Sequence, residues 1–453
     1  MSTIHSTPAS RRSVPRAALL GTAGLPLLGA CQGGASGVGG GGDGSADGGG
    51  TVARSAVART RPPADALAPG VVALSGFADR VTARLLADGD GDLVCSPYSI
   101  AVALAMTVNG AAGSTKAEML SVLGGLGLAE LDAGMSAITA LVESRSGTRK
   151  GGDGKDAEVV VAPANSIWAQ RDVPWKPAFL DALARWYAAG VHLVDYQTGG
   201  ERARTEINAW TADRTRQKIT ELVPSGVITP ATRMVLVNAI YLSAPWLTPF
   251  DPGSTRPQPF HAPSGTISVP TMWAELRGGT AAARRPGWQA VSLPLAGGEL
   301  AMTVVLPARS DAAGFAALLD PAKGGGIGAI LGSLRAEPTV ILTMPTWTSR
   351  TQVRLRPLLS VLGMPTAFAD SADFSGMTDA IRLAISEVVH QGFVAVREGG
   401  VEAAAATAVI MREVSAPLDP FTLTLDRPFL YVIHDVASAA PLFVGRVSIP
   451  KAP

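Results

Sequence analysis

Residues Glu398 to Ser415 read E-G-G-V-E-A-A-A-A-T-A-V-I-M-R-E-V-S. From Ala403 to Met411 there is no glycine, proline, charge or aromatic ring, yet Gly399 and Gly400 stand just before this window and Pro417 and Pro420 follow it. As an extended strand, it places Val401, Ala403, Ala405, Thr407, Val409 and Met411 on one face, because side chains alternate with a period of two. That face is small and uncharged, so it can slide between two existing strands with little steric resistance. No proline removes a ladder donor within it. Gly399 and Gly400 supply a point at which the chain can reverse direction. The four consecutive alanines, Ala403, Ala404, Ala405 and Ala406, nevertheless favour helix over strand, so a surface helix or loop is equally natural in isolation. A segment with both options suits a switch.

Further motifs lie on both sides of this window. Upstream is I-S-E-V-V-H-Q-G-F-V-A-V-R-E (Ile385 to Glu398); downstream are D-R-P-F-L-Y-V-I-H-D (Asp426 to Asp435) and P-L-F-V-G-R-V-S-I-P (Pro441 to Pro450). Earlier in the chain stand S-P-Y-S-I-A-V-A-L-A-M with N-G-A-A-G-S-T (Ser96 to Thr115), I-N-A-W (Ile207 to Trp210), and V-L-V-N-A-I-Y-L with W-L-T-P-F-D (Val235 to Asp251). L-G-M-P-T-A-F (Leu362 to Phe368) and A-D-F-S-G-M (Ala372 to Met377) follow. In this order the motifs resemble the serpin family, and the opening segment resembles the hinge and reactive-centre loop of an inhibitory serpin. The resemblance implies an α+β fold: a large, mostly antiparallel central sheet, helices, two smaller sheets and an exposed reactive-centre loop.

It also implies roles for particular residues. Glu398, Gly399, Gly400, Val401, Glu402, Ala403, Ala404, Ala405, Ala406 and Thr407 match the hinge. Ser96, Ser99, Asn238 and His390 match the shutter, a hydrogen-bonded cluster beneath the sheet that must open, and Trp246 matches the tryptophan at the top of that opening. A few buried hydrogen bonds can be broken and remade more readily than an interlocked apolar core, which suits a sheet that parts. The implied partner is a serine protease, trapped as an acyl-enzyme when the cut loop inserts as a new central strand. The family's usual spacing from the hinge places the cut between Val414 and Ser415, which predicts elastase-like or subtilisin-like targets. A cut after Arg412 predicts a trypsin-like target, and one after Glu413 a glutamate-specific protease. The alternative is a non-inhibitory serpin-fold binding protein, although such members tend to carry bulkier or charged hinge residues.

The amino-terminal stretch reads differently. Arg11, Arg12 and Arg16 precede a modestly apolar run from Ala17 to Leu28, and L-G-A-C ends at Cys31. Residues 1 to 31 therefore read as an export signal with a lipoprotein cleavage box, with the Cys31 thiol as the point of lipid attachment. S-R-R-S-V-P-R resembles a twin-arginine signal, except that Val14 and Pro15 stand where that signal prefers Phe and Leu. Residues 32 to 66, largely Gly, Ala, Ser and Asp, read as a disordered tether, because they have too little apolar surface to fold. Residues 67 to 453 are expected to form one domain, exported and either anchored to the outer face of the bacterial cytoplasmic membrane or released, and acting as a monomer. Helical patterns dominate early (Val71 to Leu86, Ile100 to Leu123, Leu128 to Glu143, Lys176 to Ala189, Arg202 to Gln217) and strand-like runs later, which argues α+β rather than alternating units.

Several functions find no support. The formal net charge of +1 and pI of about 7.8 point to no nucleic-acid partner. The basic residues Arg145, Arg149, Lys150 and Lys155 are interleaved with Asp153 and Asp156 around a Gly-rich stretch, Gly147 to Asp156, and read as a solvated inserted loop. His5, His192, His261, His390 and His434 have no metal-ligand spacing, and no cofactor is implied. Neither G-x-S-x-G nor S-x-x-K occurs with partners, so no hydrolase is read. With Cys31 lipidated, Cys95 has no disulfide partner and reads as a small core residue.

Overall fold

The computed structural model describes residues 51–402 and 419–453. Its helices are α1 (Leu67–Ala87), α2 (Pro97–Val108), α3 (Gly113–Val122), α4 (Leu128–Ser144), α5 (Pro177–Tyr187), α6 (Gly200–Arg214), α7 (Ala312–Leu318), α8 (Ile327–Gly332) and α9 (Arg356–Leu362). The strands before residue 250 are β1 (Thr51–Ala53), β2 (Leu93–Cys95), β3 (Gly147–Lys150), β4 (Asp156–Gln170), β5 (Val191–Val194) and β6 (Met234–Pro245). Next come β7 (Arg256–Ala262), β8 (Gly265–Arg285), β9 (Trp288–Pro294), β10 (Leu300–Pro307), β11 (Arg335–Pro345) and β12 (Trp347–Arg354). The last are β13 (Glu387–Arg397), β14 (Gly400–Val401), β15 (Phe421–Thr424), β16 (Phe429–Asp435) and β17 (Pro441–Val447).

Helix α2 shows how the sequence sets an element. Ser96 is its N-cap, with Oγ accepting from the Ser99 N–H at 3.1 Å, and Pro97 occupies the first turn, where its missing N–H costs nothing. Every residue from Pro97 to Val108 is buried, as an all-round apolar helix requires, so α2 runs beneath the sheets. The single helix expected over Ile100 to Leu123 is interrupted. Asn109 turns its amide back to the Ala105 carbonyl (3.0 Å) and across to Asp132 (2.8 Å). At Gly110 a Cβ would lie 2.1 Å from Met377 Cγ, so the chain passes there only as glycine before resuming as α3.

Eight strands form the central sheet, in the order β1-β5-β4-β6-β14-β13-β12, with β3 added beside β4. It is mostly antiparallel; β4 with β5 and β13 with β6 are its parallel pairs. Nine strands form the other, in the order β15-β11-β8-β9-β10-β16-β17-β2, with β7 beside β8. The two smaller sheets expected outside the central one are thus joined, because β8, 21 residues long, is paired with β7, β9 and β11 along its length. An apolar core including Phe77, Tyr98, Leu236, Trp347 and Tyr431 lies between the layers.

Two expectations about loops are corrected. The tether expected over residues 32 to 66 is structured in its second part: Thr51–Ala53 pairs antiparallel with Val191–Leu193 of β5, and the Thr60 N–H donates to the Arg185 carbonyl at 2.8 Å. Backbone pairing with an open sheet edge supplies the order that its composition cannot. The inserted stretch Gly147–Asp156 is solvated, but it is a hairpin of β3 and the start of β4 rather than an irregular loop. Arg145 and Arg149 both bind Glu299, each at 2.7 Å, and the Gly152 N–H donates to the Leu247 carbonyl at 2.8 Å.

Candidate functional site

Strands β6 and β13 meet in two different ways along one seam. Over Val235–Ile240 and Glu387–Gly392 they are paired directly and in parallel, with Asn238 opposite His390. Above this, β14 lies between them: Val401 faces Val396 on one side and Ala244 on the other, antiparallel to both. Gly400 approaches Pro245 so closely that a Cβ would lie 2.4 Å from the Ala244 carbonyl oxygen, which only glycine tolerates. Val401 is fully buried, and the Glu402 N–H still donates to the Ala395 carbonyl at 2.7 Å.

The top of the seam is held by backbone and by one indole. Trp246, 2% exposed, donates its backbone N–H to the Gly399 carbonyl and its Nε1–H to the Arg397 carbonyl, both at 2.9 Å. Its ring meets Phe250 edge-on at 6.3 Å. The Glu398 carbonyl accepts from the Phe250 N–H at 2.9 Å, and its carboxylate accepts from the Thr255 hydroxyl at 2.7 Å. The turn of Glu398 and Gly399 is therefore fixed from both sides, which fixes where β14 enters.

Lower down, polar groups from three strands and α2 converge. His390 Nε2 accepts from the Ser96 N–H at 3.0 Å, so Nδ1 carries the proton and donates to Asn238 Oδ1 at 2.5 Å. Burial pushes the imidazole pKa down to about 4, so the ring is neutral, as this tautomer requires. The Ser96 hydroxyl donates to the Leu442 carbonyl at 2.6 Å, and the Ser99 hydroxyl donates to Asn165 Oδ1 at 2.5 Å. Asn238 Nδ2 is buried with no partner among the described residues. Ser96, Ser99, Asn238 and His390 are thus brought together, while Trp246 stands at the other end of the seam beside Gly399 and Gly400.

Asn165 is the member the sequence reading missed. It sits in β4 directly opposite Asn238. A lone asparagine inside V-V-V-A-P-A-N-S-I-W is the available signal, since a polar side chain in a buried strand needs a partner.

The chemistry of the cluster is structural. Among the described residues no serine hydroxyl is bonded to the His390 ring, and those of Ser96 and Ser99 are committed to carbonyl and amide oxygens. Cys95 is free and buried, and burial pushes its thiol up to about 12, far from a nucleophile's range. No group of three or more His, Cys, Asp or Glu side chains among the described residues can hold a metal ion. Ala403 to Thr407, Val414, Ser415 and Cys31 lie outside the described residues.

The family model of serpins, serine protease inhibitors, matches residues 73–450. The chain is a serpin. It is 34% identical over 373 residues to an uncharacterised serpin-like protein of Thermococcus kodakarensis, covering 81% of this chain and 82% of that one. It is 32% identical over 366 residues to human Serpin B8, covering 80% and 94%. Among solved structures, the native state of the thermophilic serpin tengpin matches with a TM-score of 0.74 at 25% identity, over 87% of this chain and 96% of that one. Uncleaved ovalbumin has the same fold, with a TM-score of 0.70 at 23% identity. The serpin family comprises protease inhibitors in general rather than catalysts.

Proposed function

We propose that this serpin is an irreversible inhibitor of serine proteases that acts by inserting its cut loop between β6 and β13. The observation that carries the reading is the register of the seam. Continued past Val401 without a slip, the pairing of β14 with β6 brings position 405 opposite Ile240 and position 407 opposite Asn238. The pairing with β13, continued likewise, brings position 405 opposite Gly392 and position 407 opposite His390. Ile240 and Gly392 already face each other across the closed seam, as do Asn238 and His390. The closed sheet is therefore in register to receive the loop, and parting it requires no sliding of one strand along the other.

Length and chemistry support the same reading. The register carries position 411 opposite Met234, where β6 begins, so the charge-free window Ala403 to Met411 matches the strand beside it and Arg412 falls just beyond. Thr407, the one hydroxyl in that window, would arrive beside the partnerless Asn238 Nδ2. In the trap the protease serine oxygen attacks the Val414 carbonyl. An ester to the enzyme forms, the amide to Ser415 breaks, and the freed amine leaves with a proton from the enzyme's histidine. Insertion from Val401 to Val414 spans roughly 43 Å at about 3.3 Å per residue, which carries the acylated protease to the far end of the sheet before water can cleave the ester.

The P1 residue Val414 favours proteases with a small aliphatic pocket, elastase-like or subtilisin-like. Lipidation at Cys31 would hold a monomeric inhibitor at the outer face of the cell membrane. The test is to incubate the purified full chain with pancreatic elastase, subtilisin and trypsin separately. A band at the summed mass that survives boiling in detergent, with a released fragment beginning at Ser415 by mass spectrometry, is expected with elastase or subtilisin. A clipped chain and fully active protease in every mixture would overturn the reading.

A further inference from the structure

Between α6 and β6 the chain runs as a strap, residues 215–233, across the outer face of the central sheet. Side chains of β12 hold its backbone there: Arg350 Nη1 donates to the Lys218 carbonyl at 2.9 Å, and Gln352 Nε2 to the Leu222 carbonyl at 2.7 Å. Lys218 itself reaches the hinge. Its Nζ lies 3.0 Å from Glu402 Oε2, with the glutamate side chain only 9% exposed and the lysine 42%. Glu402 follows the inward Val401, and its ion pair with Lys218 turns its carboxylate toward the strap. It also has φ +56°, a left-handed conformation that costs a non-glycine residue on the order of 1–3 kcal/mol unless its surroundings impose it.

We infer that Lys218 is a positioning residue for loop insertion, holding Glu402 in the register it will keep when the loop enters the sheet. The backbone of Glu402 already donates to Ala395 as an inserted strand would, and its side chain already stands on the outer face. Continued entry therefore relaxes φ at Glu402 to the extended region without breaking the ion pair. Lys218 keeps the first three positions of the strand, Gly400 to Glu402, seated before any protease arrives, so insertion begins as elongation rather than as a new nucleation. The inference rests on the trap reading above for its consequence, and on the strap and hinge geometry for its structure.

The experiment uses the full chain and its Lys218→Ala, Lys218→Met and Glu402→Gln variants, together with the exchanged pair Lys218→Glu/Glu402→Lys. Two readouts are taken: amide hydrogen exchange in peptides covering 397–402, and the ratio of trapped to clipped inhibitor with a protease that the wild type traps. Exchange is expected to rise about two- to five-fold in each single variant and the trapped fraction to fall by a similar factor, the modest range of a partly exposed pair. Restoration of both in the exchanged pair separates a specific ion pair from a general structural loss, and the methionine variant retains the lysine stem should alanine fail to fold. A wild type that traps, with single variants that exchange and trap like it, overturns this inference and leaves the trap intact. A wild type that traps nothing overturns the trap, and hinge exchange then decides the role of Lys218 alone: accelerated and rescued supports it, unchanged overturns it.

Discussion

The strongest test of the seam is a carboxyl placed at Ala405. On the proposed insertion, the registers of Gly400 and Val401 continued into the loop would bring position 405 between Ile240 and Gly392, on the inward face. That face is closed: Ile240 is fully buried, and a Cβ on Gly392 would come within 2.8 Å of the Val94 carbonyl oxygen. A glutamate inserted there has neither room nor a cation, so it enters neutral. Protonating a carboxyl whose ordinary pKa is about 4.3 costs about 4 kcal/mol at pH 7, before any steric cost. If half of that is felt in the step that competes with deacylation, insertion slows roughly 30-fold. Ala405→Glu should consequently be cut as a substrate and release active protease, raising the number of inhibitor molecules consumed per protease inactivated. Ala404→Glu is the matched control, because on the same insertion position 404 would face outward beside Phe393, over whose ring Arg350 stacks at 4.7 Å. The sign with pH is fixed as well. The carboxyl's pKa is raised in the inserted state, so the penalty is present above the loop's ordinary value and vanishes as pH falls below it. The cleaved Ala405→Glu chain should recover its thermal stability relative to cleaved wild type near pH 4. Wild-type inhibition by Ala405→Glu, or equal damage from Ala404→Glu, would refute the register argument.

Thr407→Val should leave the intact chain's unfolding midpoint unchanged but cost the cleaved form about 1 kcal/mol in denaturant unfolding, because the buried Asn238 Nδ2 loses its only foreseen partner; an equal loss in both forms would contradict the placement. Trp246→Phe keeps an aromatic ring against Phe250 but removes the Nε1 bond to the Arg397 carbonyl, and should cost the intact chain about 1 kcal/mol while speeding amide exchange over 397–401. Unchanged exchange there would show that the indole does not hold the hinge. Acid stability offers a third check. Burial raises Asp79 and Asp132 to about 6, so their stabilising effect is complete below the ordinary carboxylate range and lost as pH rises through 6. Burial lowers His390 and His434 to about 4, so theirs is complete above about 6.5 and lost as pH falls through 4. The two pairs oppose each other between pH 4 and 6. Asp132→Asn should therefore gain stability relative to wild type as pH rises through that window, by at most about 3 kcal/mol, and parallel stability curves would exclude the protonated Asp132.

The parts of the molecule that were legible in the sequence are those where one physical requirement dominates. The run of small, uncharged side chains that alternate after Gly400 was readable locally, and α1, α4 and α5 were readable because their apolar spacing is strong. The break between α2 and α3 was not, since it depends on Met377 packing against Gly110 from far along the chain. Asn165 escaped notice because its need for a partner becomes visible only when β4 is laid beside β6. The strand at Thr51–Ala53 was hidden for a similar reason: a short segment in a Gly-rich tract acquires order from an edge elsewhere. The alternation of the hinge could be read locally, whereas the agreement of two registers on either side of it could not.

A sheet that opens in its middle to accept a strand has to discourage strands from adding at its margins. An unpaired strand edge is a template for any passing chain, its own kind included. Here one margin ends in β1, three residues laid over β5. At the other, β12 alternates exposed Arg350, Gln352 and Arg354 along its length, and its upper end is occupied by the carboxy-terminal chain, where the Thr348 N–H donates to the Lys451 carbonyl at 2.7 Å. On the proposed mechanism, growth of the sheet is thereby directed inward, and resistance to edge pairing and the uptake of one strand fall to different parts of the same layer.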